Sequence, residues 1–245
     1  MENRIPKVIH YAWFGKGKMS ATALKCISSW KRLLSDYEII EWNEDNFQMD
    51  MYTYAKEAYD AKKYAYVADV VRLHVLYEYG GVYMDSDVEV IKTINPFLEL
   101  HGFSGFQSEK EIPTGIIAAE KGNQWIKDQL DYYNENHFNI DDVNIRKITN
   151  VDIITNISLK KHGLVLNNKE QELKYGMRMY PLDYFCAKSA ETGVVYKTNN
   201  TYTIHHFNGS WAPLSAKRNK MILRLIEKLM GHDRTMKIYN RIQKK

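Results

Sequence analysis

Residues 65–91, AYVADVVRLHVLYEYGGVYMDSDVEVI, decide the fold. Val67, Val70, Val71 and His74 recur at helical spacing and predict a helix over 65–79. Gly80-Gly81 stops it, because glycine accepts the left-handed backbone with which helices end. Val82-Tyr83 and Val88-Glu89-Val90 then read as two short strands, with Asp85-Ser86-Asp87 as the turn between them. Asp69 and Arg72 lie three apart and share a face of the helix. Two carboxylates at such a turn can converge on one hard divalent cation, Mg2+ or Mn2+, which prefers oxygen ligands and shares them with substrate phosphates. Taken alone, the same pattern also describes a solvated acidic turn. An EF-hand loop is excluded, because Val90 stands where that loop needs glycine.

The chain has 245 residues, enough for one large domain, and shows no internal repeat or low-complexity linker. Its net charge of +4 is too small to argue for a nucleic-acid partner, and most of the excess lies from Lys217 onward. Cys26 and Cys186 have no zinc-like spacing and read as reduced thiols. No apolar run approaches the ~20 residues of a membrane helix, and the first residues lack the apolar core of a signal peptide. A cytoplasmic chain is therefore expected.

Residues 5–14 read as a buried strand broken by Gly15 and Gly17. Ligands of open α/β sheets bind beyond the carboxyl ends of strands, which places Trp13 where a flat base could stack. Ser20 caps a predicted helix to Leu34, a strand follows over 37–42, and a tyrosine-rich helix over 52–63. After the Asp-x-Asp turn, strands are predicted over 102–107 and 114–119 and helices over 123–134 and 151–161. Asp141-Asp142, between those helices, reads as part of a solvated loop. Short strands are predicted at 164–166, 177–180 and 194–195. Thr203 to Trp211, TIHHFNGSW, reads as a strand running into a glycine turn. Adjacent histidines on a strand point to opposite sides, so only one of His205 and His206 can face a metal. From Ser215 the pattern is helical, with Met221, Ile222, Leu225, Ile226 and Leu229 on one face and Lys217, Arg218, Lys220, Arg224 and Lys228 largely on the other. A second basic helix follows Gly231. These helices either pack on the domain with a wet basic face or rest on anionic lipid.

Ala68-x-x-Val71-Arg72 with Asp69, followed by Leu76-Tyr77-x-x-Gly80-Gly81-Val82-Tyr83-x-Asp85-x-Asp87, resembles the Asp-x-Asp sugar-binding region of glycosyltransferase family 32. It is also similar to the glucosylating domain of large clostridial toxins. Ile5-Pro6-Lys7-Val8-Ile9-His10-x-x-Trp13-x-Gly15 resembles the family's opening motif. The resemblance implies an α/β fold of the GT-A type. It would have a Rossmann-like nucleotide-binding half and a mixed sheet, with the domain over 1–213 and C-terminal basic helices over 214–245. It implies retaining, metal-dependent transfer from a nucleoside-diphosphate sugar to a glycan or lipid-linked glycan, as in capsule or lipopolysaccharide synthesis. Trp13 stacking on uracil would make the donor UDP-linked. Asp85 and Asp87 would hold Mn2+ or Mg2+. His206 is the expected third ligand because it precedes Phe207-x-Gly209, which leaves His205 packed inward. Asp69 and Arg72 would hold sugar hydroxyls, and Arg72 could steady the leaving phosphate. Tyr83 and Ser86 complete the expected donor contacts, and Ser210 and Trp211 resemble a segment that closes over the donor. Asp69, Arg72, Asp87 and Trp211 are the expected catalytic residues. The rival readings are a phosphatase of the haloacid-dehalogenase type and a sugar-nucleotide-binding module without turnover.

Overall fold

The computed structural model describes residues 3–113, 115–138, 149–208, 214–231, 234–237 and 239, with backbone only over 214–218. The elements in order are β1 (Val8–Ala12), α1 (Ala21–Leu33), β2 (Glu38–Trp42), α2 (Thr53–Asp60), α3 (Tyr64–Tyr79), β3 (Gly81–Met84) and β4 (Val88–Val90). There follow β5 (Gly102–Gly105), β6 (Ile116–Ala119), α4 (Gln124–Glu135), α5 (Asn150–Lys161), β7 (Gln171–Glu172) and β8 (Met177–Tyr180). α6 (Leu182–Phe185), β9 (Thr203–His205) and α7 (Leu214–Met230) complete the described chain. Ser20 Oγ accepts the Ala23 N–H at 3.1 Å and caps α1 as expected.

A seven-stranded mixed sheet runs in the order β2-β1-β3-β6-β5-β8-β7. β2, β1 and β3 are parallel, and β6 enters antiparallel beside β3. Strand pleating sends alternate side chains to opposite faces. Ile9, Tyr11, Val82, Met84, Ile116 and Ala118 join the apolar layer that includes Ile27 and Trp30 of α1. Tyr83, Ile117 and Ala119 face the other layer, where the buried residues of α3 pack with Trp125, Ile126 and Leu130 of α4. α3 is buried nearly all round between the sheet and α2 and α4. Such a position requires residues without free polar groups, and its two buried charged members, Asp69 and Arg72, neutralise each other.

The junction of α3 and β3 depends on glycine. Gly80 and Gly81 have φ of +69° and +107°. A Cβ on Gly81 would also lie 2.7 Å from the Val8 carbonyl oxygen and 3.1 Å from His10 Nε2. The close fit of β3 against β1 therefore admits no side chain there.

The two strands around Asp85-Ser86-Asp87 do not pair with each other. β3 has β1 on one edge and β6 on the other, so its hydrogen-bonding edges are filled. β4 leaves the sheet and pairs antiparallel with β9, with Val88 opposite His205 and Val90 opposite Thr203. Side chains of α1 bind the other edge of β4. Trp30 Nε1 donates to the Val88 carbonyl at 2.7 Å, and the Val90 N–H donates to Ser29 Oγ at 2.9 Å.

Three expectations change. Residues 164–166 and 194–195 form no strand, and Val195 makes only an isolated bridge to Lys188, while the short β7 was not foreseen. α7 turns Leu223 and Glu227 inward, and leaves Met221, Ile222, Leu225 and Leu229 exposed. Of the two alternatives for these helices, packing on the domain through this apolar face is not seen among the described residues. Asp141, Asp142, Ser210 and Trp211 lie outside the described residues.

Candidate functional site

The site is built at the carboxyl edge of the parallel strands. Ile9 and His10 of β1 stand beside Val82 and Tyr83 of β3, so the segments leaving both strands emerge at the same sheet edge. One of them carries Trp13, and the other carries Asp85, Ser86 and Asp87. The turn is fixed by its backbone: the Asp85 N–H donates to the Gly115 carbonyl at 2.8 Å, and the Val88 N–H to the Asp85 carbonyl at 2.9 Å. Ser86 is half-buried between the two carboxylates.

β9 brings a histidine to these carboxylates, and it is His205. Its Nε2 lies 3.1 Å from Asp87 Oδ1 and 3.8 Å from Asp85 Oδ2. His206 points to the opposite side of the strand, where its Nε2 meets Glu89 Oε2 at 2.8 Å and its Nδ1 lies 3.3 Å from Lys188 Nζ. The expectation that His206 faces Asp85 and Asp87 while His205 packs inward is thus reversed. Strand alternation was correct, but sequence alone did not fix its phase. Val88 pairs with His205, and the His206 N–H bonds the Asp87 carbonyl at 3.0 Å, which sets that phase.

One ligand atom each from Asp85, Asp87 and His205 lies within 4.8 Å of the others. Burial disfavours charge on His205, but its bond to Asp87 and the field of Asp85 outweigh this and hold its pKa up to about 10. Burial likewise opposes ionisation of Asp87. The bonds from His205 and from the Asn208 N–H, at 2.7 Å, prevail and bring it down to about 2. The imidazole thus stands in the field of both carboxylates. A positive charge is what the arrangement favours.

Arg72 links this cluster to α3. Its Nη1 donates to Asp69 Oδ1 at 3.0 Å and its Nη2 to Asp85 Oδ1 at 2.8 Å. Burial opposes its charge, and the carboxylates of Asp85 and Asp69 keep it charged. Asp69 is pushed upward from the usual carboxylate range by burial, against the pull of Arg72. Arg72 occupies one oxygen of Asp85, while the other points toward His205. Tyr83 is buried, and its ring lies 4.7 Å below the Arg72 guanidinium. It packs against Arg72 from the core side.

Two further residues, on stretches that resemble the family's sugar and acceptor sides, make contacts with the cluster that the sequence did not assign. Asn150, at the start of α5, donates its side-chain amide to Asp69 Oδ1. Gly115 lies under the imidazole, where a Cβ would approach His205 Nδ1 to 2.6 Å. The resemblance marks the stretches, but the contacts themselves depend on packing across the fold.

Trp13 is half-buried, with its Nε1 donating to the Gly17 carbonyl at 2.7 Å. It borders a pocket of about 330 Å3 that also includes Met19, Glu41, Asn43, Glu44 and Asp45. Its lining carries three carboxylates and the Lys16 ammonium.

Residues 20–103 match the family described as the glycosyltransferase sugar-binding region containing the DXD motif. That span includes Asp69, Arg72, Asp85 and Asp87 but neither Trp13 nor β9. The resemblance read from residues 68–87 is confirmed there. Inositol phosphoceramide mannosyltransferase 3 of Schizosaccharomyces pombe is 30% identical over 129 residues, half of this chain and 35% of the relative. The chain thus spans about a third of that protein's length. Inositol phosphoceramide mannosyltransferase 2 of the same yeast is 38% identical over 91 residues, which is 34% of this chain and 25% of the relative. These names point to ceramide lipids, not to capsule or lipopolysaccharide. An uncharacterized glycosyltransferase of Acanthamoeba polyphaga mimivirus is 24% identical over 85% of this chain and 84% of its own. Among solved structures, PaToxG glycosyltransferase superposes with a TM-score of 0.51 and 20% identity, over 64% of this chain and 70% of that one. This likeness shows the α/β fold of the GT-A type.

Proposed function

We propose, on the premise that residues 20–103 are a glycosyltransferase sugar-binding region, that this protein transfers a sugar from a nucleoside-diphosphate donor to a glycan or glycolipid acceptor. The observation that carries the reading is the convergence of Asp85 and Asp87, from one turn, with His205, from a strand more than a hundred residues on, beside the Arg72–Asp69 pair. Two carboxylates and one imidazole suit Mn2+ or Mg2+. Asp85 Oδ2, the Asp87 carboxylate and His205, once it gives up its proton, would hold the ion. Such an ion offsets the charge that grows on a departing diphosphate.

The chain's own residues supply the rest. Arg72 holds Asp85 in place and keeps a buried positive charge beside it. Asp69, held by Arg72 and Asn150, is the acceptor available for sugar hydroxyls. Trp13, at the same sheet edge, borders the pocket proposed for the base, and uracil is the base expected from sequence. Among the described residues no carboxylate is evident as a nucleophile. The retention expected of the family then follows from same-face attack, with the leaving diphosphate accepting the proton. Residues 214–245 form a C-terminal addition to the catalytic domain over 1–213, and the enzyme works in the cytoplasm. The relatives' names make mannose the first sugar to test and an inositol-bearing glycolipid the first acceptor.

The test is release of nucleoside diphosphate from a panel of nucleotide sugars, with and without Mn2+. Metal-dependent release from one donor, lost in Asp87→Asn, supports the proposal. Unchanged release by Asp87→Asn overturns it. Phosphate release from p-nitrophenyl phosphate would favour the phosphatase reading, and donor binding without any release would favour the inactive module.

A further inference from the structure

We infer that α7 is a membrane-docking helix that seats the protein on an anionic lipid surface. At 100° per residue, Met221, Ile222, Leu225 and Leu229 fall within one sector of roughly 100°. These side chains are 60%, 47%, 57% and 86% exposed, so among the described residues nothing covers this contiguous apolar stripe. Arg224 and Lys228 are exposed along one border of the stripe. The helix has one acidic residue, Glu227, and it is buried. The outward surface of α7 over 220–230 therefore joins apolar side chains with cations and no exposed carboxylate.

That combination selects among possible occupants. Two copies packed stripe to stripe would bring Arg224 and Lys228 of each near the same residues of the other, and like charges repel. An anionic bilayer offers acyl chains to the stripe and headgroup charge to the cations. The inner edge of the helix reaches the candidate site: Lys220 Nζ lies 5.7 Å from the Phe207 ring, whose centroid is 4.1 Å from that of His205. Docking through α7 would thus hold Asp85, Asp87 and His205 within roughly one or two helix diameters, about 10–20 Å, of the headgroups. The inference stands on the helix surface alone and does not require the sugar-transfer reading.

The full chain is to be sedimented with phosphatidylcholine vesicles with and without phosphatidylglycerol, in the absence of any donor. Binding to the anionic vesicles with little binding to neutral ones is expected. Leu225→Ser/Leu229→Ser should abolish it with an unchanged melting temperature, because both side chains are already exposed. Arg224→Gln/Lys228→Gln should weaken it by roughly fivefold for each cation removed. The inference is overturned if the wild type ignores anionic vesicles or the double serine variant binds as well as wild type. It is equally overturned if the wild type sediments in solution as a dimer that the serine variant converts to monomer, since a second copy then covers the stripe.

Discussion

His205 and Glu89 lie on the two strands of one short ladder, yet they serve opposite sides of it. His205 turns to Asp87 at 3.1 Å, while its neighbour His206 turns to Glu89 at 2.8 Å. Glu89 is also held by Lys25 at 3.2 Å, so the outer side of the ladder is a surface network and the inner side is the candidate site.

His205→Ala and His206→Ala should therefore separate. Removing His205 takes away one of three converging groups, and Mn2+ affinity should fall by about 100-fold or more. Removing His206 should change Mn2+ affinity by less than about threefold, because its partner pair is partly exposed and such pairs are weak. Calorimetric titration of each variant with Mn2+ measures both. Equal losses would show that β9 is not phased as described.

Gly115→Ala should damage the cluster without touching a charged group. The new methyl would meet His205 Nδ1 at 2.6 Å and Cε1 at 2.9 Å, so the imidazole must shift. We expect a stability loss of about 1–3 kcal/mol from overpacking. Mn2+ affinity should fall at least about tenfold. Denaturant melts with the same titration provide the check.

Arg72→Ala should destabilise the fold, not only the reaction. It would leave Asp69 buried beside Tyr83 and Tyr133 with its cation gone. Breaking a buried pair in this way costs about 3–5 kcal/mol. Arg72→Ala/Asp69→Asn should recover part of that stability while remaining inactive. A double-mutant cycle on urea midpoints reads the coupling.

His10 should make the protein acid-sensitive. Burial lowers its pKa from 6.5 to about 4. The bonding explains why it stays neutral: Nε2 donates to the Gly80 carbonyl at 2.9 Å, and Nδ1 accepts from Trp42 Nε1 at 3.1 Å. A second proton would set N–H against N–H. The folded pKa lies below the unfolded one, so this contribution is complete above 6.5 and is lost as pH falls through about 4. It amounts to about 3 kcal/mol across that window. The stability of His10→Gln should start lower and fall less steeply over the same range. Parallel slopes for the two proteins would remove His10 as the cause.

Much of the frame was legible locally. The helix over 65–79, its Gly-Gly end and the Asp-x-Asp turn were read from spacing alone, and α3 and β3 lie within a residue or two of those limits. The capped helix at Ser20 and the strands near 102–107, 114–119 and 177–180 were legible for the same reason. Periodicity and glycine conformations act over a few residues, and a chain carries them wherever it goes. For Gly115 and Asn150 the resemblance marked only the stretch, and the contacts with His205 and Asp69 needed the fold.

The sequence by itself determined the α/β frame, the paired carboxylates and the helix face that Asp69 and Arg72 share. Tertiary structure alone decided that β4 leaves β3 for β9, that His205 and not His206 meets the carboxylates, and that the apolar side of α7 looks outward. The physical reason is common to all three. Alternation defines two faces of a strand or helix, but which face is covered depends on the neighbour that arrives. Here those neighbours are set by strand edges already filled and by residues more than a hundred positions away.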